Sequence, residues 1–153
     1  MSEQGLKPLI IIGGGGHASV LVDILLLQKR EILAVISPDD LSSRCVFNGI
    51  SHLNSDDDVF MFPVDEVLLV NGIGMLPKSS LKQKLNQYFL SHGYQFETVI
   101  SENAKISPFA KIGVGVQIFS GVIIQAGTKI ANHTVINSGV IIEHDCEIGQ
   151  YNH

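Results

Sequence analysis

Isoleucine recurs at every sixth position from Ile100 to Ile148, through Ile106, Ile112, Ile118, Ile124, Ile130, Ile136 and Ile142, with no insertion. Neither the 3.6-residue period of a helix nor the two-residue alternation of a simple strand holds one residue type in that register. A triangular solenoid does: each hexad forms one flat face, three faces make a coil, and every isoleucine points at the axis. Nine hexads make three coils, so Ile100, Ile118 and Ile136 stack, as do Ile106, Ile124 and Ile142. The position four residues after each isoleucine is small or thin, as at Ala104, Val116, Thr128 and Cys146. Gly113, Gly115, Gly121, Gly127, Gly139 and Gly149 supply tight bends, and Asn103, Asn132 and Asn137 suit turns. A β-sandwich with coincidental spacing does not produce nine matches in nine. The repeat leaves the hand of the solenoid open, since ordinary strand crossovers are right-handed. The last hexad ends at His153 without a capping element. An uncapped coil exposes its core and strand edges, so a partner or further chain is expected there, with further chain preferred.

Residues 1–99 read differently. Leu9–Ile12 is a short buried strand that runs into Gly13-Gly14-Gly15-Gly16-His17-Ala18 and an apolar helix over Ser19–Lys29. Further strands are expected at Glu31–Ile36, Val67–Val70 and Phe96–Val99, and a helix at Ser79–His92. Ser37–Phe62 reads as loop, with a solvated acidic run at Asp56–Asp58. Strands alternating with helices imply a parallel α/β sheet. The expected organisation is therefore an α/β unit over residues 1–99 and a hexapeptide-repeat β-helix over 100–153.

The glycine turn matches G-x-G-x-x-A through Gly13, Gly15 and Ala18, a weak dinucleotide signal by itself. Its physical content is firmer. Missing side chains let the backbone approach a ligand, and a helix N-terminus offers N–H groups and a positive dipole end to an anion. Residues 1–99 hold a half-size mononucleotide unit more comfortably than a full dinucleotide fold, so a nucleoside diphosphate is expected rather than NAD. The alternative is a tight strand–helix turn with no ligand.

Composition narrows the partners. The chain has 153 residues, 45% hydrophobic and 16% charged, with net charge −5. That balance has no footprint for nucleic acid or an anionic membrane. Its apolar runs are too short to span a bilayer, and the N-terminus lacks a signal-peptide layout. The only cysteines, Cys45 and Cys146, lie far apart, which fits a reducing, cytoplasmic compartment. No His/Cys/Asp/Glu group has metal-ligand spacing.

The G-x-G-G-H-A turn, Val22-Asp23-Ile24-Leu25, Asn137 and Glu143-His144-Asp145-Cys146-Glu147-Ile148-Gly149 together resemble the sialic acid O-acetyltransferase and nucleotide-aminosugar N-acetyltransferase family, within the hexapeptide-repeat acyltransferases. The resemblance spans essentially the whole chain. It implies a half-Rossmann-like domain holding a UDP-sugar, a left-handed parallel β-helix, a homotrimer, and acetyl-CoA lying along the solenoid between subunits. It also implies His144 as the catalytic histidine, Asp145 as the acid that orients it, His153 beside the acetyl-CoA thioester, and Asn137 on the substrate side. Gly14, Gly15, Gly16 and His17 of the turn, with Asp39, become the nucleotide-sugar contacts. Two stretches depart from the family pattern. Ser37-Pro38-Asp39-Asp40 is offset from the usual acidic pair, and Asn71-Gly72-Ile73-Gly74 replaces the usual loop after the third strand.

The chemistry follows from residue type. Acyl transfer to an amine needs a base for the proton lost as nitrogen attacks the thioester, and imidazole titrates near neutrality. His144 is third in its hexad, near a corner, and faces outward. A neighbouring carboxylate can bond one ring nitrogen and fix the tautomer, and a further donor must stabilise the oxyanion. The bland reading of His144 is a solvated corner. His133, His52 and His92 are expected to be solvated surface residues, and Cys146 to pack in the core. Three functions stand: N-acetylation of a UDP-linked amino sugar in surface-glycan synthesis, O-acetylation of sialic acid or a related sugar, and non-catalytic nucleotide-sugar binding or assembly.

Overall fold

The computed structural model describes residues 6–74 and 79–153. Two compact units divide the chain, Met1–Phe96 and Glu97–His153. In the first, strands β1 (Leu9–Ile12), β2 (Ile32–Ile36), β3 (Ser51–Leu53) and β4 (Leu68–Asn71) form a parallel sheet in the order β3-β2-β1-β4. Every residue of β1 is buried. That is why this strand reads as an unbroken apolar run rather than an alternation: a central parallel strand is covered on both faces. Ile10, Ile12, Ala34, Ile36 and Leu69 pack with Leu85 and Phe89 on one side. Helix α1 (Gly16–Leu27) follows β1 and packs against it, burying Ala18, Leu21, Val22, Ile24 and Leu25. Helix α2 (Leu81–Ser91) buries Lys82, Leu85, Asn86 and Phe89, the i, i+3, i+4, i+7 stripe of an amphipathic helix.

Several elements differ from expectation. Helix α1 starts three residues earlier, at Gly16, because the glycine turn itself forms the first helical turn. Part of the expected loop after β2 is ordered: β3 extends the sheet by pairing Ala34 with Ser51, and Cys45–Phe47 forms a 3-10 turn. The acidic run is not simply solvated coil, since Asp56–Met61 is a 3-10 helix capped at Ser55. Asp57 N–H donates to Ser55 Oγ and Ser55 N–H donates to Asp58, a capping box that places negative charge at the helix N-terminus. Phe96 makes an isolated bridge to Leu69 rather than opening a strand.

The second unit is a solenoid. Among the described residues its strands are β5 (Val99–Ile100), β6 (Lys105–Ile106), β7 (Lys111–Ile112), β8 (Gln117–Ile118), β9 (Ile123–Ile124), β10 (Lys129–Ile130), β11 (Val135–Ile136), β12 (Ile141–Ile142) and β13 (Glu147–Ile148). They form three parallel three-stranded sheets, β11-β8-β5, β12-β9-β6 and β13-β10-β7. Ile118 pairs with Ile100 and Ile136, and Ile124 with Ile106 and Ile142, as the repeat requires. Val116, Ile118, Val122, Ile124, Ile130, Ile136 and Ile142 make the core, with Cys146 half-buried against it. Gly115, Gly121, Gly127 and Gly139 turn corners at positive φ, between 73° and 79°. Three corners are turned in the same way by residues with side chains: His133, Asp145 and Tyr151, at φ of 61°, 59° and 56°.

Candidate active site

At the end of β1 the four glycines divide into two kinds. A Cβ on Gly13 (φ +108°) would lie 3.0 Å from the Gly72 carbonyl, and one on Gly72 would lie 2.7 Å from Ala18 Cβ. Gly13, Gly72 and Ala18 therefore bring α1, β1 and the chain after β4 into close contact, and hydrogen bonds from Gly13 N–H to Ile36 O and from Gly72 N–H to Ile12 O, both 2.7 Å, lock the arrangement. Gly14 is also packed, since its Cβ would lie 2.9 Å from Ser37 Cβ and overlap Leu41. Gly15 and Gly16 are exposed. Among the described residues, a Cβ at Gly15 meets nothing within 4 Å, and one at Gly16 meets Arg44 Nη2 at 3.9 Å. Gly15 is the N-cap of α1 and carries no side-chain cap. The turn thus presents an open backbone at a helix N-terminus, the arrangement that receives anions. Of the expected nucleotide contacts, Gly15 and Gly16 face open space, Gly14 serves packing, and His17 is half-exposed beside Gly74.

After β2, Ser37 is buried and its Oγ accepts from Asp39 N–H at 3.1 Å. The Asp39 side chain is exposed. Asp40 is consumed locally: its carboxylate accepts from Ser42 N–H at 2.9 Å and Ser42 Oγ–H at 2.7 Å, bonds that hold it below the usual carboxylate range.

A buried polar cluster behind the turn escaped sequence reasoning. Lys82 Nζ donates to Asn71 O (2.9 Å) and Ile73 O (2.8 Å). Asn71 Nδ2–H donates to Asn86 Oδ1 and to Lys82 O (3.1 Å), while its Oδ1 accepts from Ile73 N–H (2.9 Å). Among the described residues no carboxylate bonds this lysine, and burial pushes its amine down to about 7. The cluster fixes the Asn71-Gly72-Ile73 segment on which Gly13 packs, and so gives the departed loop a structural purpose. One signal was readable: Lys82 and Asn86 sit at i and i+4 within an otherwise apolar helical stripe.

On the solenoid, His144 and Asp145 stand at the corner after β12. Their side chains are exposed, and His144 Nδ1 lies 3.0 Å from Asp145 Oδ2. The left-handed backbone of Asp145, held by its N–H bond to Ala126 O at 3.0 Å, turns the carboxylate back toward the preceding ring. With Nδ1–H donating to the carboxylate, Nε2 becomes the acceptor. One coil earlier, Thr128 Oγ1–H donates to Glu143 O at 2.8 Å and supports the corner. Asn137, after β11, and His153 are joined by a 3.0 Å bond between Nε2 and Oδ1. Both line a cavity of about 360 Å³ with Val140, Gly149 and Asn152, and His144 is outside that lining.

His133 corrects its expectation. It is buried rather than solvated, with its ring stacked on Tyr151 at a centroid distance of 5.2 Å. Its left-handed corner folds the imidazole down over Gly115 of the previous coil, where a Cβ would overlap it. His52 and His92 are exposed, yet each ring is engaged: His52 Nε2 bonds Ser37 O at 2.8 Å, and His92 packs against Phe60 and Tyr88. Among the described residues no group of three or more His, Cys, Asp or Glu is placed to hold a metal ion, and no helix is long and apolar enough to cross a membrane.

The PglD N-terminal domain family matches residues 8–88. Among solved structures, a histidine-to-asparagine variant of perosamine N-acetyltransferase from Caulobacter crescentus, in complex with CoA and GDP-perosamine, is 30% identical. That match covers 95% of this chain and 67% of the other, with a TM-score of 0.80. The acetyltransferase domain of PglB from Neisseria gonorrhoeae, in complex with acetyl coenzyme A, is 19% identical with a TM-score of 0.82, covering 95% of this chain and 69% of the other. WeeI from Acinetobacter baumannii is 24% identical with a TM-score of 0.75, covering 95% and 68%. The last two matches speak for the fold alone. Glycine turn, parallel sheet and hexapeptide coils together carry one conclusion: the chain belongs to the PglD N-terminal domain family and, through its left-handed β-helix, to the hexapeptide-repeat acyltransferase superfamily.

Proposed function

We propose that this protein transfers an acetyl group from acetyl-CoA to the amino group of a nucleotide-linked amino sugar, in the synthesis of surface glycans. The observation that carries the reading is the 3.0 Å bond between His144 Nδ1 and Asp145 Oδ2, which leaves Nε2 as the proton acceptor. In the reaction the neutral sugar amine attacks the thioester carbonyl and its proton passes to Nε2 of His144. The tetrahedral intermediate then collapses, breaking the C–S bond, and the imidazolium returns the proton to the departing CoA thiolate. Asp145 keeps the proton on Nδ1 and stabilises the transient imidazolium. Asn137, joined to His153, serves the substrate side, and His153 the thioester.

The diphosphate is assigned to the N-terminus of α1 at Gly15 and Gly16, whose open backbone suits an anion. His17 and Asp39 belong to the same binding surface. Uridine is the nucleoside expected from the family resemblance, and the Caulobacter crescentus relative was crystallised with a guanosine sugar, so both belong in the assay. The exposure of His144 and Asp145 in the single chain supports a homotrimer in which a neighbouring subunit walls the corner.

The test offers acetyl-CoA with UDP- and GDP-linked amino sugars and identifies the product by mass and alkali stability. An alkali-stable amide is expected, whereas an ester would mark O-acetylation. His144→Ala should lower turnover by about 10²–10⁴-fold if the residue is the base. Unchanged turnover removes it from that role.

A further inference from the structure

Positive φ by itself does not require glycine at the corners of this solenoid. His133, Asp145 and Tyr151 adopt the same left-handed backbone at φ of 61°, 59° and 56°. Aspartate does so at modest cost because its short polar side chain bonds locally. Yet Gly127 (φ +79°), one coil before Asp145, is glycine, and its surroundings supply a second reason. A Cβ built on Gly127 would overlap Asp145 Oδ1 and lie 3.0 Å from Asp145 Cγ. The same relation recurs at another corner, where a Cβ on Gly115 would overlap the ring of His133. At these two corners the side chain above lies down over the glycine beneath, whereas beneath Tyr151 stands His133, whose ring stacks on it.

We propose that Gly127 is a positioning residue for acetyl transfer: its missing side chain is the space that the Asp145 carboxylate occupies while it holds Nδ1 of His144. Gly127 touches no reacting atom and acts through Asp145. The inference rests on the reading of His144 as the base. Gly127→Ala puts a methyl group where the carboxylate lies. The atom it strikes is the free end of a rotatable side chain, so the carboxylate swings away and the coil survives. Gly121→Ala is the matched control. Its φ is +77°, it has the same backbone strain, and its Cβ reaches nothing nearer than Gly139 at 3.6 Å.

The experiment reads the ring-nitrogen NMR shifts of His144, which report the tautomer and need no activity, beside turnover. It uses the wild type, Gly127→Ala, Gly121→Ala, Asp145→Asn and the Gly127→Ala/Asp145→Asn pair. Gly127→Ala is expected to give the His144 shifts of Asp145→Asn and to lose about 10²-fold in turnover, the scale set by misplacing a catalytic group by about 1 Å. Gly121→Ala should match the wild type in both, and the double variant should be no slower than Asp145→Asn. The proposal is overturned if Gly127→Ala keeps the wild-type shifts, or if its loss multiplies with that of Asp145→Asn. Should the wild type transfer no acetyl group to any amino-sugar nucleotide, the catalytic reading falls, and the ring shifts still decide whether Gly127 positions Asp145.

Discussion

Lys82→Met isolates the energetic consequence of a buried amine. Lys82 is 4% exposed, and its two hydrogen bonds go to backbone carbonyls, Asn71 O and Ile73 O. A neutral amine has two N–H groups and satisfies both carbonyls, whereas an ammonium adds a third donor and a charge that no carboxylate among the described residues bonds. The fall from 10.5 to about 7 corresponds to about 5 kcal/mol between the charged and neutral forms. The sign follows from proton counting. Between pH 7 and 10.5 the unfolded chain carries this proton and the folded one does not, so stability rises with pH across that window. Below pH 7 both states are protonated and the cost of the buried charge is fully present. From pH 7 to pH 9 the gain from this one group is about 2 kcal/mol, or roughly 8–16 °C in Tm for a unit of fewer than 100 residues. The assay is thermal unfolding followed by circular dichroism at 222 nm, because α1 and α2, the α-helices among the described residues, both lie in the α/β unit. Lys82→Met should lack this rise, so the difference in Tm between the two proteins should change by those degrees between pH 7 and 9. At pH 7 alone the two should be close. The variant escapes the cost of charge burial but leaves two carbonyls unsatisfied, at about 1–3 kcal/mol each. Parallel pH dependences would refute the assignment of a neutral buried amine.

Three further substitutions test the binding surface and the solenoid. Gly15→Asp supplies the side-chain cap that α1 lacks, and should stabilise the fold by a few tenths to about 1 kcal/mol while abolishing nucleotide-sugar binding. Calorimetric titration beside urea unfolding checks that stability and affinity move in opposite directions; retained affinity would exclude the turn as the diphosphate site. Ile124→Ala, at a core position 1% exposed, should cost about 2–5 kcal/mol in urea unfolding, against less than about 0.5 kcal/mol for Ile141→Ala, 58% exposed on the outer face.

The solenoid was legible because its physics is periodic. Once isoleucine recurs every six residues, strand positions and stacking partners follow, and Ile118 pairs with Ile100 and Ile136 as the spacing demands. The parallel sheet was legible for a similar reason: β1 is apolar throughout because it is buried throughout. Elements fixed by tertiary contact were not. Strand β3 has the composition Ser51-His52-Leu53 and is a strand only because the edge of β2 offers it hydrogen bonds. His133 looked like a solvated corner because burial by Tyr151, eighteen residues on, is not a local property. Within the site, His144, Asp145, Asn137 and His153 could be named from motif resemblance, and the structure joins them as two bonded pairs. The division of labour among the glycines was hidden, since spacing cannot say which neighbour a Cβ would strike.

The two units also differ in how far apart in the chain their partners lie. In the solenoid each strand meets its mate eighteen residues later, as Lys111 meets Lys129. A coil can therefore be wound onto the one before it as soon as the chain has been made, each closure ordering a short loop of nearly constant length. The central strand of the α/β sheet has no such convenience. Leu9 pairs with Leu68, so β1 stays open along one edge until most of its unit has been synthesised. During translation β1 is thus among the last strands of its unit to be completed, and its apolar edge stays unpaired while the chain up to β4 is made.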